Sequence, residues 1–360
     1  MSPWSRPGWL RLDGLAATCR KALGGLKLPS GRRLPALPGG LRPWITLGSI
    51  GFVLAALFSH GQQMVQLRLD GQGWLWLLLG VGVSLLSLVM NGLAWGVVLR
   101  WLGLRPRWSA VVELHLATNL RKFLPGGIWH LASRVQRLRS EGAPLGAPTG
   151  TTLALLAVLL DPLLAAVAAL ALVVLGGWQS GLGLVCLLPL ALLLPRCLDP
   201  LLCRLERRRA RDLGLEEDLT QEAAAVQTTW LRGYPWPPLL AQLVFVLLRF
   251  AGFFCCIRAF DLQLSMEAPA WLSGFALAWT AGLVVPGAPG GLGVFEAVLL
   301  LRLGTALPEA PLLAVALSYR LIVTLTDLLA ASLVALDGTV ARALARQDRS
   351  VRETPGNSSQ

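Results

Sequence analysis

The chain of 360 residues is 54% hydrophobic and only 14% charged, with a mean hydropathy of +0.61, which excludes an ordinary soluble domain and fits a polytopic membrane protein. Its formal net charge of +12 would suit a nucleic-acid binder, but Arg and Lys gather in short segments between apolar runs, as the positive-inside rule requires of cytoplasmic loops, so no nucleic-acid partner is expected. The six cysteines form no Cys-x-x-Cys pair and the three histidines no His-Glu-x-x-His spacing, so neither a disulfide framework nor a metal or other cofactor is expected.

Residues 1–43 are rich in Arg, Pro and Gly, and Asp13 is their only acid. No apolar core precedes Trp44, which argues against a cleavable signal peptide; the segment reads as a mostly disordered cytoplasmic tail, with an organelle transit peptide as the alternative. Six apolar runs then approach the roughly 20 residues a helix needs to cross a bilayer. They are Trp44–Ser59, Trp74–Leu99, Thr151–Val174, Leu182–Leu198, Leu239–Phe260 and Leu312–Leu336. Basic residues set their direction. Arg32, Arg33 and Arg42 hold the N-terminus inside, Arg100–Arg107 and Arg204–Arg211 mark inner loops, and Arg342, Arg346 and Arg349 return the C-terminus to the cytoplasm. The expectation is a multi-pass protein of the cell (plasma) membrane with both termini cytoplasmic. The connector 199–237 reads as an amphipathic surface helix or a solvated link, and 337–360 as a disordered tail.

Two further segments have apolar arms interrupted by Pro and Gly. Residues 108–139 carry Pro125, Gly126 and Gly127 at their centre and basic residues at both ends; residues 270–303 carry Pro286 through Gly291. The arm Leu292–Leu303 would extend about 18 Å at 1.5 Å per residue, against a hydrocarbon core of about 30 Å, so it cannot cross alone. Both segments are therefore read as re-entrant hairpins, one opening inside and one outside. The fold expected is an all-α polytopic membrane protein of about six spanning helices and two re-entrant hairpins, arranged as an inverted repeat.

Ionisable residues within apolar runs are the strongest functional signals, because burying one costs roughly 2.5–3.5 kcal/mol on insertion scales. They are Asp161, Arg249, Arg320, Asp327 and Glu296. Pairing of Arg249 or Arg320 with Glu296 or Asp161 is expected, either as static locks on the bundle or as part of a substrate or coupling-ion site. In the first hairpin, Arg121, Lys122 and Arg134 flank the break, and the helix after the glycines offers a positive N-terminal end suited to a phosphate. Snorkelling at the interface accounts for Arg137 and Arg139. In the second hairpin, Gly290, Gly291 and Gly293 permit close backbone approach, and Glu296 either contacts substrate or caps its own helix. The expected substrate-binding set is thus Arg121, Lys122, Pro125, Gly126, Gly127, Arg134, Pro286, Gly290, Gly291, Gly293 and Glu296, with no catalytic residue and no metal ligand.

The run Asn119-Leu-Arg-Lys-Phe-Leu-Pro-Gly-Gly-Ile-Trp129 with Arg134, together with Pro286 through Gly290-Gly-Leu-Gly-Val-Phe-Glu296, resembles the membrane region of the lysylphosphatidylglycerol synthase/flippase family over roughly residues 44–336. The resemblance implies a lipid-translocating membrane domain, which in full-length relatives moves aminoacylated phosphatidylglycerol between leaflets. Those relatives also carry a soluble aminoacyl-transferase domain after the membrane region, whereas only a short tail follows Leu336 here. The expectation is a non-enzymatic flippase for an anionic or aminoacylated phospholipid or a lipid-linked headgroup. The alternatives are a non-catalytic partner of a separately encoded glycosyl- or aminoacyl-transferase, and a membrane-embedded lipid-modifying transferase. Against the last stand the missing nucleophile elbow and nucleotide loop. The partners expected are membrane phospholipids and, in the alternative, that transferase; self-association as a homo-oligomer is left open.

Overall fold

The computed structural model describes residues 70–123, 129–140, 144–176, 181–194, 197–198, 233–260, 267–285 and 289–353, and all regular structure among them is helical. In chain order the helices are α1 (Gly71–Trp101), α2 (Trp108–Asn119), α3 (Trp129–Arg139), α4 (Thr151–Val173), α5 (Gly181–Leu192), α6 (Trp236–Ala259), α7 (Ala268–Val284), α8 (Val294–Leu303) and α9 (Glu309–Glu353). Single 3-10 turns occupy Leu120–Phe123, Val174–Gly176 and Pro289–Gly291. Among the described residues four helical stretches, Gly71–Trp101, Thr151–Gly176, Trp236–Ala259 and Glu309–Asp337, are long and apolar enough to cross a membrane. The chain is a membrane-embedded helical protein.

Local chemistry explains the ends of these helices. Asp70 caps α1, its Oδ1 accepting from the Gly73 amide at 2.6 Å, and Arg100 sits in the last turn where the dipole favours a cation. Proline opens α6 and α7 in the first turn, where a missing N–H costs nothing. α7 stops at Val284, two residues before Pro286. α4 is apolar on all sides except for Asp161, and 67% of its most apolar window is buried, against 33% for α1. A helix that is apolar all round belongs at the centre of a bundle, and α4 is there. α1 instead leaves Trp74, Leu75, Leu78 and Leu79 exposed, the face a lipid-contacting helix presents.

Packing follows a repeated plan. α1 and α6 lie against each other along small residues: a Cβ on Gly252 would fall 2.6 Å from Ser84 Oγ, and one on Gly80 3.3 Å from Cys255 Cβ. α2 packs on α1 and reaches across to α9, while α7 packs on α6 and reaches across to α4. α3 packs on α4 as α8 packs on α9, and α1 touches both α4 and α9, as does α6. Exchanging α1–α4 for α6–α9 therefore maps this set of helix contacts onto itself. The cores differ in composition. Phe253, Phe275, Phe295 and Tyr319, one ring from each helix of the second set, meet with centroids 5.1–6.1 Å apart. The first set is filled mainly by Leu, Ala and Val around Trp95, whose Nε1 donates to the Ala157 carbonyl at 3.0 Å.

The run Leu182–Leu198 does not form one spanning helix: α5 covers 12 residues, with Pro189 inside it and Pro195 just beyond its end. The segment from 337 is not a disordered tail as far as Glu353, because α9 continues through it; Ala341, Ala343, Leu344 and Ala345 are strong helix formers that carry the helix past the apolar run. The tail 1–43, the run Trp44–Ser59 and nearly all of the connector 199–237 lie outside the described residues.

Candidate functional site

Each interrupted segment contributes one described turn to the same place. The turn Leu120–Phe123 meets the turn Pro289–Gly291, and a Cβ on Gly290 would fall 2.8 Å from the Phe123 ring. Pro125, Gly126, Gly127 and Pro286 lie outside the described residues. Gly290, Gly291 and Gly293 all have positive φ, at 60°, 75° and 77°. At Gly291 a Cβ would also come within 2.8 Å of the Gly282 backbone, which cannot yield as a side chain can. Gly291→Ala is therefore expected to cost about 1–3 kcal/mol from φ alone, and more from the clash. Gly82→Ala, where a Cβ meets nothing within 4 Å, serves as the neutral or slightly stabilising control. Thermal denaturation of the two variants checks this.

α9 holds both turns. Asp327, 1% exposed, accepts from Asn119 Nδ2 at 2.7 Å through Oδ1 and pairs with Lys122 Nζ at 2.7 Å through Oδ2. Two helical turns earlier, Arg320 reaches the other break. Its Nε donates to Glu296 Oε1 at 3.0 Å, its Nη1 to the Gly290 carbonyl at 2.5 Å and its Nη2 to the Gly291 carbonyl at 2.6 Å. Its guanidinium also lies 4.7 Å from the Phe295 ring centroid. Glu296, 1% exposed, uses its second oxygen to accept from the Gly293 amide at 2.7 Å. It thus caps α8, at the end where the helix dipole favours an anion, while pairing with Arg320.

A second ion pair lies deeper. Arg134 sits on the buried face of α3 with Leu131, Val135 and Leu138. Its Nη1 donates to Asp161 Oδ2 at 3.1 Å, its Nε to Thr118 Oγ1 at 3.1 Å, and its guanidinium lies 5.2 Å from the Trp95 ring centroid. Asp161 Oδ1 accepts from Gln242 Nε2 at 2.7 Å. Arg121 is exposed and donates to Ser133 Oγ, tying the first turn to α3.

These elements enclose a cavity of about 310 Å³. Of the residues singled out from sequence, Lys122, Arg134, Asp161, Arg249, Arg320, Gly290 and Gly291 line it, whereas Arg121, Gly293, Glu296 and Asp327 do not. Residues that sequence reasoning passed over also line it, among them His115, Asn91 and Tyr319. Gln242 holds Asp161 from α6, and its sequence signal was available: it stands seven residues before Arg249 on the same helix and so on roughly the same face. The resulting site is a partly enclosed polar cavity at the meeting point of two broken helices, with four basic side chains in its wall. Such a site can hold an anion and shield it from hydrocarbon.

No curated protein matches the chain. A family model described as lysylphosphatidylglycerol synthase TM region matches residues 44–331, and with it the sequence elements that form both breaks and most of α9. The chain belongs to the lysylphosphatidylglycerol synthase transmembrane-region family.

Proposed function

We propose that this protein is a non-enzymatic flippase that moves an anionic or aminoacylated phospholipid, or a lipid-linked headgroup, between the leaflets of the plasma membrane. The observation that supports the reading is that the turns Leu120–Phe123 and Pro289–Gly291, one from each interrupted segment, meet at one cavity lined by Lys122, Arg134, Arg249 and Arg320. Irregular backbone at membrane depth is tolerated where protein encloses it or where it lines a cavity, and paired broken segments at a shared site are the arrangement alternating-access carriers use. In this reading the breaks are the tips of two re-entrant hairpins. The self-mapping helix contacts are compatible with an inverted repeat, and the basic loops favour cytoplasmic termini. Phospholipids are its partners, and no covalent step is required of any cavity residue.

The test is reconstitution of the full chain into vesicles carrying a fluorophore-labelled phosphatidylglycerol in the inner leaflet, with arrival outside read by a membrane-impermeant quencher. Lys122→Gln should slow movement roughly tenfold, the scale set by losing one charged hydrogen-bonding partner, while gel filtration shows the variant still folded. Absence of movement for every anionic and aminoacylated lipid tried would sink the proposal. Release of a chemically modified lipid would point to a transferase. Co-purification of a transferase that disappears when Arg204–Arg211 is neutralised would point to a scaffold.

A further inference from the structure

Three of the four basic side chains in the cavity wall have carboxylate partners: Lys122 with Asp327, Arg134 with Asp161 and Arg320 with Glu296, at 2.7, 3.1 and 3.0 Å. Arg249 is the exception. It lines the cavity from α6 and is only 5% exposed, yet its Nε and Nη1 have no hydrogen-bond partner among the described residues. The Phe245 ring, 5.7 Å from its guanidinium carbon, supports one face without neutralising it. His115 stands in the same wall, fully buried, and neither ring nitrogen has a hydrogen-bond partner among the described residues. A buried guanidinium left without a counter-charge is among the more costly arrangements a protein can hold, unless a ligand supplies the charge. With three pairs neutral, the described residues of the wall leave one positive charge uncompensated, and the same wall carries an imidazole able to donate one hydrogen bond in either tautomer.

We propose that Arg249 is the anchor of a phosphate site, and that its ligand is the headgroup phosphate of a net-anionic phospholipid rather than an aminoacylated, net-cationic one. The identity of the ligand as a lipid rests on the transport reading above; the anion site does not. A phosphodiester brings one negative charge and closes the balance with Arg249. A lysyl ester on the same headgroup adds two ammonium groups, which leaves the cavity with excess positive charge in a weakly screening surrounding. Guanidinium is the side chain suited to phosphate because its planar, fixed N–H groups match the oxygens without further ordering.

The experiment is calorimetric titration of the purified full chain in detergent with dihexanoyl phosphatidylglycerol, dihexanoyl phosphatidylcholine and dihexanoyl lysylphosphatidylglycerol. Glycerol 3-phosphate and inorganic phosphate form the soluble arm. Phosphatidylglycerol should bind roughly tenfold or more tightly than either other lipid, and Arg249→Gln should remove that advantage. Arg249→Lys, which keeps the charge and loses the fork, should fall between, so the site stays testable if the Gln variant does not fold. Soluble phosphates that bind as tightly as the lipid and depend equally on Arg249 would keep the phosphate site and overturn the lipid as its source. Unchanged binding in Arg249→Gln and Arg249→Lys, or equal affinity of the wild type for the lysyl lipid, would overturn the proposal. Arg249-dependent binding by a protein that moves no lipid in vesicles would sink transport and leave this site. Movement unaffected by Arg249→Gln, without charge preference, would do the reverse.

Discussion

Replacing Arg320 with Met is expected to cost about 3–5 kcal/mol of stability, the loss seen when one member of a buried pair is removed. The substitution strands Glu296, which is 1% exposed, and leaves the Gly290 and Gly291 carbonyls without the donors that fix the turn. Glu296→Gln should cost less, about 1–3 kcal/mol, because an amide oxygen can still accept from the Gly293 amide or from Arg320. The ordering distinguishes a positional latch from a simple charge pair. If charge alone mattered, both single variants would fall equally. Thermal denaturation in one detergent, followed by tryptophan fluorescence and gel filtration, reads the difference. A loss below about 1 kcal/mol for Arg320→Met would mean that the contacts are those of a solvated pair.

Asp161→Leu is expected to be comparably severe, about 3–5 kcal/mol, since Arg134 is 3% exposed on its side chain and has no other carboxylate at ion-pair distance among the described residues. Removing both partners should recover much of this. In Arg134→Met with Asp161→Leu the desolvation penalty of two buried charges disappears, so the double variant should lie closer to the wild type than either single one does. The same cycle separates folding from transport. Recovery of stability without recovery of lipid movement would show that the pair acts on the ligand as well as on the bundle. At the Lys122–Asp327 pair the two ends should differ: loss of Asp327 leaves Lys122, whose side chain is 22% exposed and can be solvated, whereas loss of Lys122 leaves a carboxylate with a 0% exposed side chain.

Long apolar runs were readable as helices because composition alone makes them insoluble. α1, α4 and α6 begin and end within a few residues of the sequence expectation. The two breaks were readable for the opposite reason, as Pro and Gly contradict their surroundings. Partner choice was less accessible. Arg320 with Glu296 was among the anticipated pairs, but Arg134 with Asp161 was not, because Arg134 was assigned with Arg121 and Lys122 to a phosphate. Its burial depends on α3 lying against α4, a tertiary contact with no local signature. Residues 337–360 were read as disordered from the Pro, Gly, Asn and Ser at their end, whereas helix propensity carries α9 through to Glu353. Length misled at Leu182–Leu198, where α5 ends at Leu192 within an apolar stretch that hydropathy alone treats as continuous.

Arg320 and Asp327 are seven residues apart on α9, which at 1.5 Å per residue separates their anchoring points by about 10.5 Å along one rigid axis. Any axial slide or screw of that rod displaces both anchors together. It therefore cannot open one side of the cavity while the other stays shut. Independent release requires α9 to bend between the two anchors, or one side chain to let go while its neighbour holds. Thr324 and Thr326 lie in that interval and return their hydroxyls to the helix's own carbonyls, a habit that bends helices. Alternation between the two faces would then be a property of those seven residues rather than of the hairpins they restrain.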